Sequence, residues 1–152
     1  MSSTGLESIE HTVQLTHTWL NELDEALGWS NKPRTYRLLK AALHALRDWL
    51  PLNEMAHLGA QLPTLLRGVY YEQWHPAPTP AKERTKEAFL ARVNESFEKD
   101  PLPHTGRALV SVFELLSKKI TAGEVEDVRR CLPAEVRTLW PEPYVAPGAM
   151  QR

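Results

Sequence analysis

The chain resembles itself. Aligned without gaps at an offset of seventy positions, residues 19–70 and 89–140 form 52 pairs, of which 11 are identical. The identities are Leu20/Leu90, Glu25/Glu95, Pro33/Pro103, Thr35/Thr105, Arg37/Arg107, Leu39/Leu109, Leu46/Leu116, Glu54/Glu124, Leu62/Leu132, Pro63/Pro133 and Arg67/Arg137. Pairs such as Trp19/Phe89, Met55/Val125, Leu58/Val128 and Tyr70/Trp140 keep their character. Self-similarity at one such period marks a supersecondary unit built twice. A unit of about 60 residues buries too little surface to be stable alone. The two copies are therefore expected to pack together about a pseudo-twofold, each closing the apolar face of the other.

Apolar spacing says what the unit is made of. Ile9, Val13, Thr16, Leu20, Leu23 and Leu27 fall at alternating steps of three and four, one stripe of an amphipathic helix. Gly28 stands where a left-handed cap belongs. Pro33 suits the first turn of a second helix, because its missing N–H would be unpaired there anyway. That helix is expected to run to Leu50 on a stripe of Tyr36, Leu39, Ala42, Leu43, Leu46 and Leu50, and to stop at Pro51. A third helix over about 52–60 and a fourth, short one from Pro63 complete the unit. In the second copy, Thr121-Ala122-Gly123-Glu124 fits a capping box, with Glu124 reaching back to Thr121. No strand pattern appears. The expectation is an all-α protein with two tandem four-helix units, residues 7–71 and 85–140. They are joined by a stiff linker over 72–84, rich in proline. The tail, 141–152, is expected to be extended or disordered, with Tyr144 and Val145 as docking points, and residues 1–5 to be a loose start.

Composition excludes several classes. The net charge of -1 is spread evenly and offers no electrostatic footprint for nucleic acid. No apolar run approaches the ~20 residues of a membrane span. Met1 to Gly5 lack the basic start of a secretory signal. Cys131 is the single cysteine, so no internal disulfide exists. A cytoplasmic protein without nucleic-acid or membrane partners is expected.

Catalytic patterns are missing. No nucleophile stands beside a base in a familiar spacing, and no glycine-rich phosphate loop occurs. Glu54-Met55-Ala56-His57 is a Glu-x-x-His, whose ends share a helix face. A di-iron bundle site needs a second such motif and two more glutamates. The repeat offers Glu124-Val125-Glu126-Asp127 instead. No catalytic residue, metal or cofactor is therefore expected. Glu54, Glu124, Arg37, Arg107, Arg67 and Arg137 recur in both copies. Function usually breaks an internal symmetry, so these six are read as structural: caps, salt bridges and anchors on helix carbonyls. The asymmetric segment Tyr70-Tyr71-Glu72-Gln73-Trp74-His75 crowds aromatics where the copies part. Tyr70, Tyr71, Trp74 and His75 are the candidate binding residues, with junction packing as the competing reading.

The runs Ala45-Leu46-Arg47-Asp48-Trp49-Leu50, Ala56 to Pro63, and Leu66-Arg67-Gly68-Val69-Tyr70-Tyr71-Glu72 resemble a prokaryotic family, domain of unknown function 2267. Phe89-Leu90-Ala91-Arg92-Val93, Gly123 to Val128 and Leu132-Pro133 continue the resemblance, from about Ile9 to Trp140. It implies a bacterial, helical, duplicated protein with no assigned activity and no catalytic residues to carry over. The functional expectation is a non-catalytic interaction or adaptor module that binds another protein or a second copy of itself. The alternative is a small-molecule-binding protein or enzyme with a cleft between the units, lined by Tyr71, Trp74, His75 and His57.

Overall fold

A computed structural model of the chain describes residues 6–76 and 79–141. Every regular element among them is helical. The order is α1 (Glu7–Leu27), α2 (Lys32–Trp49), α3 (Leu52–Gln61), α4 (Thr64–Tyr71), α5 (Lys86–Asn94), a 3-10 turn (Glu95–Phe97), α6 (Thr105–Lys119), α7 (Ala122–Cys131) and α8 (Ala134–Arg137). None of the described helices is long and apolar enough to cross a membrane. The expected tail, its Tyr144 and Val145, and residues 1–5 lie outside the described residues.

Local chemistry sets the helix ends. Gly28 adopts φ 67°, and its N–H donates to the carbonyls of Asp24 and Glu25. α2 starts at Lys32 with Pro33 in its first turn, and the Asn31 side chain caps it by accepting the Arg34 N–H. The turn between α1 and α2 is locked by Asp24. Its carboxylate accepts the Asn31 N–H at 3.0 Å and the Thr35 hydroxyl at 2.7 Å. These two bonds, the backbone one first, hold its pKa below the ordinary carboxylate value. Seventy residues on, the Thr105 hydroxyl donates to Asn94 Oδ1 at 2.6 Å. The same hydroxyl thus ties the same two helices in each half.

The halves interlock. α1 packs on α6 as well as on α2, and α2 packs on α5. α3 packs on α7. A shift of seventy carries α3 onto the bounds of α7, and exchanges the α1–α6 contact for the α5–α2 contact. An aromatic row fills the space between. Trp49 meets Phe89 edge-on at 5.2 Å, Phe89 lies 6.3 Å from Phe113, and Phe113 stacks on Trp140 at 4.4 Å.

Two helices differ from the sequence expectation. α2 is not half-exposed: Leu38, Ala41, Ala45 and Trp49 are buried together with its expected stripe, while Tyr36 is only half-buried. It is the hub on which α1, α3, α4, α5 and α6 all pack. α1 has the opposite fault. Its stripe outruns the core, leaving Ile9 and Val13 exposed, while Trp19 on a neighbouring row is buried.

Candidate functional site

The aromatic segment divides on inspection. Tyr70 is not a surface residue: it is fully buried, and its hydroxyl donates to the Met55 carbonyl at 2.8 Å. Burial raises its pKa. Tyr71 and Trp74 are half-buried against the core, in edge contacts with centroids 5.0 Å (Tyr70–Tyr71) and 6.2 Å (Tyr71–Trp74) apart. Of the four candidates only His75 is exposed. Trp49 is 1% exposed and belongs to the aromatic row.

The recurring arginines part company. Arg67 donates to the carbonyls of Gly59, Ala60 and Leu62, closing the end of α3. Its counterpart Arg137 leaves its Nε buried without an acceptor. Arg37 binds both oxygens of Asp100, at 2.7 and 2.8 Å, with its guanidinium over the Phe97 ring. Arg107 is exposed and borders a groove instead.

A buried polar node went unread in the sequence. Arg47, 3% exposed, binds both carboxylate oxygens of its neighbour Asp48. Its other nitrogen donates to the carbonyls of Tyr70 and Glu72 at 2.8 and 2.7 Å. Arg92 of α5 closes on Asp48 from the second half. The Ala81 N–H donates to the Asp48 carbonyl at 2.7 Å, pinning the linker. Adjacent Arg-Asp on a helix normally face apart, so only a helix buried on every side would have revealed it.

The glutamates do something other than cap. Thr121 Oγ1 accepts the Glu124 N–H at 3.2 Å, which is half of a capping box. The other half is absent, because the Thr121 N–H donates to Gln61 Oε1 from the first copy, at 3.1 Å. The Glu124 side chain instead turns across the α3–α7 contact toward Glu54. With His57, one turn along α3, they form a group whose potential ligand atoms all lie within 4.8 Å of one another. Glu124 is 8% exposed, Glu54 is half-buried and His57 is exposed. Glu54 Oε2 and Glu124 Oε2 are buried with no hydrogen-bond donor supplied by the protein. Burial, followed by the bond and charge of Glu54 and the charge of Asp127, pushes the Glu124 pKa up to about 8. The expectation of no metal demanded a second Glu-x-x-His, whereas the fold sets the glutamate of the other half beside the first. Cys131, the next turn but one along α7, has its pKa raised by burial and then by these carboxylates, which keeps the thiol protonated.

Two surface features remain. A groove of about 240 Å³ between the end of α1 and the start of α6 is lined by Leu27, Trp29, Leu102, His104, Arg107 and neighbours. Near the opposite end of α1, Ile9 (52% exposed) and Val13 (38%) are exposed, as is Leu65 (42%) of α4. The Leu65 N–H donates to Thr12 Oγ1 at 2.8 Å, which sets the start of α4 against this part of α1.

Comparison with known proteins adds a family and nothing finer. No curated protein matches the chain. Residues 16–139 match the family described as uncharacterized conserved protein, DUF2267, and the chain belongs to it.

Proposed function

We propose that this DUF2267 member is a non-catalytic helical interaction module, whose partner is another protein or a second copy of the chain. A bacterial, cytoplasmic setting is part of the same proposal. The observation behind it is the uncovered apolar face of Ile9, Val13 and Leu65. Single exposed apolar residues are ordinary on a protein surface. Ile9 and Val13 lie on an α1 stripe that continues into the core, and with Leu65 exposed where α4 meets α1 they offer an apolar face that a partner helix can cover. The protonated Cys131 and the packing of Tyr70, Tyr71 and Trp74 fit a non-catalytic scaffold.

The test is light scattering across a concentration series, together with capture from the native lysate. Each is run on the parent chain and on Val13→Asp. Association that Val13→Asp abolishes supports the proposal. A strict monomer that captures nothing, or association indifferent to the substitution, refutes it.

A second reading, a ligand site, rests on the α1–α6 groove, where Trp29, His104 and Arg107 converge. Its volume of about 240 Å³ falls short of the roughly 300–1,000 Å³ usual for small-molecule sites. An anionic fragment screen in which Arg107→Ala abolishes the hits would favour it.

A further inference from the structure

Glu54 and Glu124 occupy the same position in the two copies, and the α3–α7 contact brings them face to face. An ionised carboxylate only accepts hydrogen bonds. Two of them in contact need a proton or a cation between them. Oε2 of each residue is buried with no donor from the protein, and Glu124 is only 8% exposed, so two acceptor oxygens face a site that a proton or a cation must fill. The third member breaks the symmetry. His57 places an imidazole within 4.8 Å of both carboxylates, where the other copy has Asp127. This gives a nitrogen and two oxygen donors from residues on two facing helices.

We propose that Glu54, His57 and Glu124 bind one divalent first-row transition-metal ion, of the Zn2+ or Mn2+ class, which clasps α3 to α7. The two carboxylates balance its charge. One imidazole with two carboxylates suits this class better than soft, thiolate-seeking ions. Ligand atoms about 2.1 Å from a tetrahedral ion are roughly 3.4 Å apart. The present spacing, at most 4.8 Å, closes to that through rotation of flexible side chains. His57 lies at the surface, so ions have an entry path and water completes the coordination. The site lies on α3 and α7 and shares no residue with the α1–α4 apolar face, so it stands or falls independently of it.

The experiment uses the untagged full chain, stripped with a chelator and dialysed. Zn2+ is titrated calorimetrically, and Co2+ is followed by its visible absorption. Saturation at one equivalent is expected, with the Co2+ band showing nitrogen and oxygen ligands. His57→Ala and Glu124→Gln should each weaken binding by at least about tenfold. Far-UV circular dichroism confirms that they remain folded; His57→Ala alters an exposed side chain. Glu126→Gln, exposed on the same helix, should bind as the parent does. Failure to saturate at one equivalent overturns the proposal and leaves a shared-proton carboxylate pair. Binding that survives both ligand substitutions, or that Glu126→Gln weakens equally, also overturns it.

Discussion

Gly59 sits inside α3 with two tyrosine rings against its Cα. A Cβ built there would lie 2.9 Å from Tyr71 Oη and 3.1 Å from both Tyr70 Cε2 and Tyr71 Cε2. Carbon contacts are comfortable at about 3.5–4.0 Å, so each ring edge must retreat by roughly half an ångström. Tyr70 cannot retreat freely, being fully buried and tethered through its hydroxyl to Met55. Tyr71 is braced edge-on between Tyr70 and Trp74. Overpacking of this kind costs about 1–3 kcal/mol. Replacing a helical glycine with alanine returns about 1 kcal/mol of helix propensity. Gly59→Ala should therefore destabilise by up to about 2 kcal/mol net, lowering Tm by up to about 8 °C for a chain of this size. Gly68 supplies the control. It lies within α4 with nothing inside 4 Å of its Cβ, so Gly68→Ala should stabilise by about 0.5–1 kcal/mol. The assay is urea unfolding followed at 222 nm, with an unchanged slope required for the comparison. Adding Tyr71→Phe to Gly59→Ala removes the closest contact and should recover at least about 0.5 kcal/mol as a coupling energy. If Gly59→Ala is as stabilising as Gly68→Ala, the rings are free to swing aside. The reading of Tyr70, Tyr71 and Trp74 as fixed packing would then be wrong.

Arg47→Met should destabilise by about 3–5 kcal/mol in the same urea assay, since it strips a buried carboxylate and two carbonyls of their donor; a loss below about 1 kcal/mol would show that Arg92 alone satisfies Asp48. Thr35→Val keeps the shape but deletes the fully buried hydroxyl that ties α2 to Asp24, and should cost about 1–2 kcal/mol by thermal unfolding. His44 donates its Nε2–H to the Val69 carbonyl at 2.7 Å, and burial, aided by Arg47 and Lys40 and opposed by that bond and by Asp48, lowers its pKa below 6.5. The unfolded chain therefore binds a proton more readily than the folded one. The His44 contribution to stability should fall as pH drops through about 6.5, then level off once the folded-state histidine is also protonated. Glu124, with its pKa raised to about 8, works in the opposite sense in parent and variant alike, so the readout is the difference between them: from pH 7.5 to 5 the parent's denaturant midpoint should fall relative to that of His44→Gln.

Much of the fold is a local matter and was legible without coordinates. Gly28, Pro33 and the prolines before α4 and α8 act through their own backbone, and Thr121 through a hydroxyl three residues from its partner, so their helices begin and end within a residue or two of expectation. Amphipathic spacing identified helices, but not what would cover them. Ile9 and Val13 obey the same period as Leu23, yet α1 extends beyond its neighbours, and only Leu23 is buried. The residues of α2 read as one stripe, although packing surrounds the helix and buries Arg47 and Asp48 with it. The chain's self-similarity pairs Glu54 with Glu124. It assigned them to capping, because sequence separation says nothing about contact across an axis. Whether matched residues stay apart, as Arg67 and Arg137 do, or meet depends on which helices face each other. Tertiary packing alone set α3 against α7, turned two repeated glutamates into one buried pair, and placed His57 beside them.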